Sequence, residues 1–306
     1  MSAARDRYLA FRRALPPLPA LSHETVRVRG LDLAVFRTPT PAEAAGPPLV
    51  CINGGLLFSH QLLWPMLSPL AARRALVFYD QRGRGRSSAP PGVRAARIEH
   101  DAGDVPALCD ALSLEQVDLL GHSWGGGIAM LAAAQLGART RRLVLANAVG
   151  TTSAWLPPLH EIALARLSGE TRARLATFDP ADLTEPDLER QAAYARAFYP
   201  AWFADRAFGL EVTPPTGTST TGAVIAARLR RDGYDWRETV RGVRARTLVL
   251  HGMDDAIPVA TALETAAQLG DVTSVETATI AGAGHLPFLE QPTRFFALVD
   301  GFLGGG

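Results

Sequence analysis

The stretch Val117-Asp118-Leu119-Leu120-Gly121-His122-Ser123-Trp124-Gly125-Gly126 decides how this chain is read. A short, mainly apolar run from Val117 to Leu120 predicts a strand. A run of small residues from Ile128 to Leu136 predicts a helix. Between them a serine is flanked by glycines in the pattern G-x-S-x-G, which has chemical meaning only between a strand and a helix. The turn there is sharp, so its neighbours must be nearly free of side chains for strand and helix to approach. Such a turn lifts the Ser123 hydroxyl clear of the sheet edge and sets the Trp124 amide at a helix N-terminus. Unpaired backbone donors and the helix dipole favour a developing oxyanion at that point.

Working outward, the same alternation recurs on both sides. Thr25 to Arg29 and Leu31 to Arg37 alternate around Gly30 and predict an opening antiparallel hairpin. Leu49 to Ile52 and Ala75 to Tyr79 are continuous apolar runs, the mark of strands covered on both faces. A helix over Ile98 to Leu112 tolerates Pro106 at a cost, and a further strand follows at Arg142 to Ala146. After position 240 the pattern resumes with a strand at Thr247 to Leu250, a helix at Val259 to Leu269, a strand at Ser274 to Ile280 and a closing helix at Thr293 to Leu303. The fold class is α/β, a mostly parallel, doubly wound sheet.

From about Thr151 to Val240 strands vanish, prolines recur and aromatics concentrate, which predicts a helical lid inserted into the core. Residues 1–150 form the first part of that core, with an N-terminal arm over 1–24 that opens on a short helix, Asp6 to Leu15. Residues 241–306 form its second part. The stretch Thr213 to Thr221 predicts a mobile loop. Most lid aromatics belong to the lid's own core; Trp155, Tyr199, Trp202 and Phe203 are the candidates for lining a substrate pocket.

Composition narrows the function. At 306 residues the chain buries a sizeable core, and a net charge of +1 gives no electrostatic case for nucleic acid or an acidic membrane surface. All 31 basic residues are arginine, which reads as coding bias rather than function. Two cysteines make no disulfide framework, no run is apolar enough to span a membrane, and the basic, proline-rich start lacks the apolar stretch of a signal peptide. The expectation is a soluble, cytoplasmic protein acting on a small molecule, with oligomeric state left open.

A serine hydroxyl needs a base within reach, and that base needs a carboxylate to orient it. His285, in Gly282-Ala283-Gly284-His285 after the last strand, is the candidate base, because flanking glycines let an imidazole swing over the sheet edge. His251 ends a strand and His122 precedes the serine, so both read as packing groups. The acid lies in His251-Gly252-Met253-Asp254-Asp255-Ala256-Ile257-Pro258. Asp255 stands three residues after Gly252 and Asp254 four before Pro258; Asp255 is the first choice and Asp254 the alternative, with Asp254 then capping the turn or the next helix. The second oxyanion amide comes from the loop after Leu49 to Ile52, with Gly55 the natural donor and Leu56 its neighbour.

The stretches GHSWGG (121–126), YDQRGRGRS (79–87), HGMDD (251–255) and GHLPFLEQP (284–292) together resemble the α/β-hydrolase fold, and within it the proline iminopeptidase-like branch, peptidase family S33. The resemblance covers about 25–150 and 245–303 and implies Ser123 as nucleophile, His285 as base, Asp255 as acid, Gly55 and Trp124 as oxyanion donors, and no metal or organic cofactor. Asn53-Gly54-Gly55-Leu56-Leu57 stands where those peptidases carry His-Gly-Gly-Pro-Gly, and the lid lacks their Trp-Glu setting for a free α-amine. The expected activity is therefore hydrolysis of an ester, amide or lactone of an apolar small molecule or peptide derivative, with an aminopeptidase as one alternative. Lyase, cyclase or acyl-transfer chemistry and pure ligand binding on the same scaffold are the others. The arginine-rich 82–86 stretch lacks the G-x-G-x-x-G spacing of a dinucleotide site.

Overall fold

The computed structural model describes residues 2–178 and 187–305; the part of the expected lid over 179–186 lies outside them. Eight strands form one sheet: β1 (Ser22–Val28), β2 (Leu31–Arg37), β3 (Leu49–Ile52), β4 (Leu76–Tyr79), β5 (Val117–His122), β6 (Thr140–Ala146), β7 (Arg246–Gly252) and β8 (Val275–Ile280). Their order is β1-β2-β4-β3-β5-β6-β7-β8. Only β2 runs against its neighbours, and every pairing from β4 to β8 is parallel. This is the doubly wound α/β sheet that the sequence predicts.

The continuous apolar strands are explained by burial on both faces. Along β3, Val50 and Ile52 join one core with Tyr79, Leu119, Leu145 and the helices Ile98–Ala111 and Trp124–Leu136. Leu49 and Cys51 point the other way and meet Phe78, Leu120, Leu250 and the closing helix Pro292–Gly304 through Phe295 and Val299. The N-terminal helix, Ala3–Ala14, docks on that second core, with Phe11 stacked 5.5 Å from Phe296.

Between β6 and β7 the described residues contain helices and no strand of the sheet, and the caps of several are written in the sequence. Ser168, Asp187, Asp205 and Ser219 each accept the backbone N–H three residues on, starting the helices Gly169–Leu175, Leu188–Phe198, Arg206–Glu211 and Thr220–Asp232. The expected loop over Thr213 to Thr221 is irregular only to Ser219. There Ser219 receives a firm hold, donating its hydroxyl to Gly83 O at 2.6 Å and its amide to Gln191 Oε1 at 3.0 Å.

The elbow helix also begins earlier than its small-residue run suggests, at Trp124, because the glycines are helical. They are glycine for contact rather than for conformation. A Cβ on Gly125 would lie 2.0 Å from Ile52 O, and one on Gly121 would lie 2.3 Å from Gly125 O.

Candidate active site

Ser123 sits between the end of β5 and the first residue of the Trp124–Leu136 helix, at φ 58°, ψ −125°. Few residues other than glycine adopt that backbone, so the surroundings must hold it. They do so through three backbone bonds: Ser123 N to Ala146 O at 3.2 Å, and Gly126 N and Val149 N to Ser123 O at 2.9 and 3.2 Å.

The loop after β3 lies directly against this turn. A Cβ on Gly54 would fall 2.5 Å from both His122 O and Ser123 Cβ and 3.0 Å from Trp124 N. Gly55 and Leu56, the two candidate second donors, follow at φ 77° and 42°. The loop is fixed from below by the 79–87 stretch: Gln81 Nε2 donates to Asn53 O at 2.7 Å and Arg84 Nε donates to Leu56 O at 2.8 Å. Arg84 is in turn forked onto the buried Asp101 at 3.0 and 2.8 Å, and Arg82 onto Asp104. Asn53, where the resembling peptidases have histidine, spans the loop by donating to Phe58 O at 3.1 Å. Arg82 and Arg84 are thus internal struts, whereas Arg86 is exposed.

His285 Nδ1 donates to Asp255 Oδ2 at 2.8 Å. Asp254 is instead exposed and accepts Gly282 N at 3.0 Å, so it steadies the histidine loop rather than capping a turn or helix. Asp255 also accepts Asn147 Nδ2 at 2.7 Å and Ile257 N at 3.1 Å, and His251 Nε2, which donates to Ile257 O at 2.9 Å, lies 3.6 Å from it. Burial alone would raise its pKa, but the charge and hydrogen bond of His285 outweigh that and bring it down to about 2. With Nδ1 committed to Asp255, the Nε2 of His285 is the free face of the ring.

The imidazole is held from other sides too. Trp202 stacks on it with ring centroids 4.3 Å apart, and its carbonyl accepts His285 N at 2.7 Å. His122 Nε2 donates to His285 O at 2.8 Å; burial pushes the His122 pKa down to about 3, so it stays neutral beneath the site. The fully buried Glu290 takes Gly284 N at 2.6 Å and Asp205 N at 2.8 Å, joining the histidine loop to the helical segment.

Ser123 and His285 open onto one cavity of about 410 Å³, lined also by Gly55, Leu56 and Trp124. Of the four aromatics expected there, Trp155, Tyr199 and Trp202 line it. Phe203 does not. It is 1% exposed, with its ring edge-on to Tyr199 and Phe208, so it belongs to the core. Among the described residues the lining contains no aspartate or glutamate. Those residues also contain no histidine, cysteine and carboxylate cluster of metal-binding kind.

The sequence model of the alpha/beta hydrolase fold family matches residues 47–292. The chain belongs to that family. It is a hydrolase of the α/β-hydrolase superfamily. It is 30% identical over 283 residues to a 2-hydroxymuconate semialdehyde hydrolase of Pseudomonas sp. strain CF600, covering 90% of this chain and 93% of that one. A proline iminopeptidase of Lactobacillus delbrueckii subsp. bulgaricus is 22% identical, covering 84% and 89%. Among solved structures, that of VinJ superposes with a TM-score of 0.69 at 23% identity, covering 92% and 98%, a likeness of fold. No helix of the described residues is long and apolar enough to cross a membrane.

Several residues that shape this hydrolase's site escape a reading of the sequence. Asn147 is one, held at φ 47° and donating both to Asp255 and to Gly284 O at 3.1 Å. Its only local signal is its position just past a strand end, on the edge where the site lies. Arg166 is another, bracing the Asp255 carbonyl at 3.0 Å from the helix Leu156–Arg166.

Proposed function

We propose that this α/β hydrolase is a serine hydrolase that cleaves an ester, amide or lactone of an apolar small molecule through an acyl-enzyme on Ser123. One observation carries the reading: His285, its Nδ1 engaged by Asp255 at 2.8 Å, shares an apolar cavity with the Ser123 hydroxyl. His285 Nε2 takes the hydroxyl proton as Ser123 Oγ attacks the carbonyl carbon. Asp255 holds the ring in the tautomer that leaves Nε2 basic and steadies the imidazolium that forms. The amides of Trp124 and Gly55 receive the tetrahedral oxyanion; loss of one such donor costs on the order of 10²–10³ in rate. His285 then gives its proton to the leaving group, and water, activated by the same imidazole, releases the acid.

Ser123 Oγ makes no hydrogen bond among the described residues, in keeping with catalytic contacts that tighten when substrate arrives. Residues 151–240 act in this reading as a cap, because Trp155, Tyr199 and Trp202 from that segment roof the cavity and Trp202 covers the base. An aminopeptidase is the second reading, suggested by the iminopeptidase relatives. A free α-amine needs a carboxylate, and the described lining offers none, so a substrate without that amine is favoured.

Labelling with a fluorophosphonate probe tests the proposal. The parent protein is expected to label, and Ser123→Ala and His285→Ala to lose the label. A parent that stays unlabelled while turning over an ester would remove Ser123 from the mechanism.

A further inference from the structure

The polar groups of the cavity divide between two regions. Ser123 and His285 mark one. From His285 a wall of rings that all line the cavity leads away through Trp202, Phe198 and Tyr194, in centroid steps of 4.3, 5.4 and 5.9 Å. The helix Thr220–Asp232 adds Arg230 to the lining, and the helix Leu156–Arg166 adds His160. Arg230 stands close enough to Tyr194 for its charge to act on the phenol, against the larger effect of burial.

Arg230 is the only permanently charged side chain among the described lining residues, and none of the described carboxylates pairs with it. Its neighbours on the same helix are engaged. Arg228 donates to Ala96 O at 2.8 Å, and Arg231 forks onto Asp232 at 2.7 and 2.8 Å. Arg230 is exposed to solvent, and an unpaired guanidinium lining an apolar cavity without acidic residues attracts anions to it. Its planar fork suits a carboxylate in particular, and a phenol O–H adds a further donor to the same oxygen pair.

We infer that the substrate is bipolar, with a carboxylate received by Arg230 and Tyr194 and an apolar stretch along the aromatic wall. The inference rests on the serine-hydrolase reading only for which end reacts; the binding stands without it. Three ring-to-ring steps separate the two ends, so the fitting class is an ester of a medium-chain acid that carries a second, ionised carboxyl. A two-carbon spacer is too short.

Monomethyl suberate, dimethyl suberate and monomethyl succinate test this directly. Trp124, Trp155 and Trp202 all line the cavity, so their fluorescence reports binding without any turnover. The parent protein at neutral pH is expected to bind the suberate monoester about tenfold more tightly than the neutral diester and than the succinate monoester, the scale of one charge-assisted contact. The ratio of monoester to diester affinity falls toward one in Arg230→Gln and is partly kept in Arg230→Lys. Equal or tighter binding of the diester by the parent, or a ratio that survives Arg230→Gln, would overturn the inference. Methanol release from the three esters, in the parent and in Ser123→Ala, reports separately on the hydrolase reading. Failure there leaves the binding result to decide the present point.

Discussion

Trp202 and His285 are joined twice: indole stacks on imidazole at 4.3 Å, and the Trp202 carbonyl accepts the His285 amide at 2.7 Å. The His285 imidazole therefore takes its orientation from the helical segment as well as from Asp255. A Cβ on Gly284 would fall 2.4 Å from that same carbonyl, so the histidine loop and residue 202 are in direct contact.

Removing the indole should lower kcat as well as raise KM. Trp202→Ala is expected to cut kcat about tenfold to a hundredfold, the scale of an ångström-sized misplacement of a reacting group. Trp202→Phe should restore most of it. Steady-state hydrolysis of one ester by the three proteins checks this. A change confined to KM would reduce Trp202 to a wall of the cavity.

The two adjacent aspartates should behave very differently. Asp255→Asn leaves the contact geometry but favours the wrong tautomer of His285, and a fall in kcat of about 10⁴ is expected. Asp254→Asn removes only an exposed charge, since its amide oxygen can still accept Gly282 N, and should stay within severalfold of the parent. Comparable losses in both would contradict the assignment.

Acid sensitivity should trace in part to His122. Its ordinary pKa of 6.5 falls to about 3 in the folded protein, mainly through burial. Between those values the unfolded chain holds a proton that the folded chain refuses, so stability rises with pH across the window. The contribution is fully present above about pH 6.5 and is lost as pH falls toward 3. His251 adds to the same slope, its pKa also lowered chiefly by burial. In His122→Gln, urea midpoints measured from pH 7 to pH 4 should decline less steeply than in the parent. Asp255, depressed from 3.8 to about 2, contributes only at lower pH still.

The Arg84–Asp101 pair offers a separation of stability from activity. Arg84→Met strands a buried carboxylate and should cost about 3–5 kcal/mol. The double variant Arg84→Met/Asp101→Leu removes both charges and should recover most of that stability. It still lacks the bond from Arg84 Nε to Leu56 O, so its kcat should remain low while its thermal midpoint returns. Recovery of both together would show that the strut is not needed for the oxyanion loop.

The elbow, the parallel strands and the His285 loop were legible because each is a local pattern. Glycines bracket a serine, apolar residues run without interruption, and a histidine follows a strand. The proposed acid is legible only to within one residue, since Asp254 and Asp255 both satisfy the local spacing. The choice is made by His285 and Asn147, 30 and 108 positions away. Phe203 was misplaced for a similar reason. Its composition matches that of Trp202 beside it, and only packing against Phe208 turns it inward. Asn147 carries little signal beyond its place after a strand end, and the Glu290 bond to Asp205 N spans distant parts of the chain.

Five described non-glycine residues have positive φ: Arg29, Leu56, Ser113, Ser123 and Asn147. Three of them, Leu56, Ser123 and Asn147, are at the cavity or hold its acid. Glycine relieves such backbone at no steric cost, so Ser123→Gly and Leu56→Gly should each leave the folded protein as stable or slightly more so. Thermal robustness and turnover are then opposing pressures at these positions. A library of this chain selected for heat resistance alone would drift toward glycine at 123 and lose its chemistry in the process.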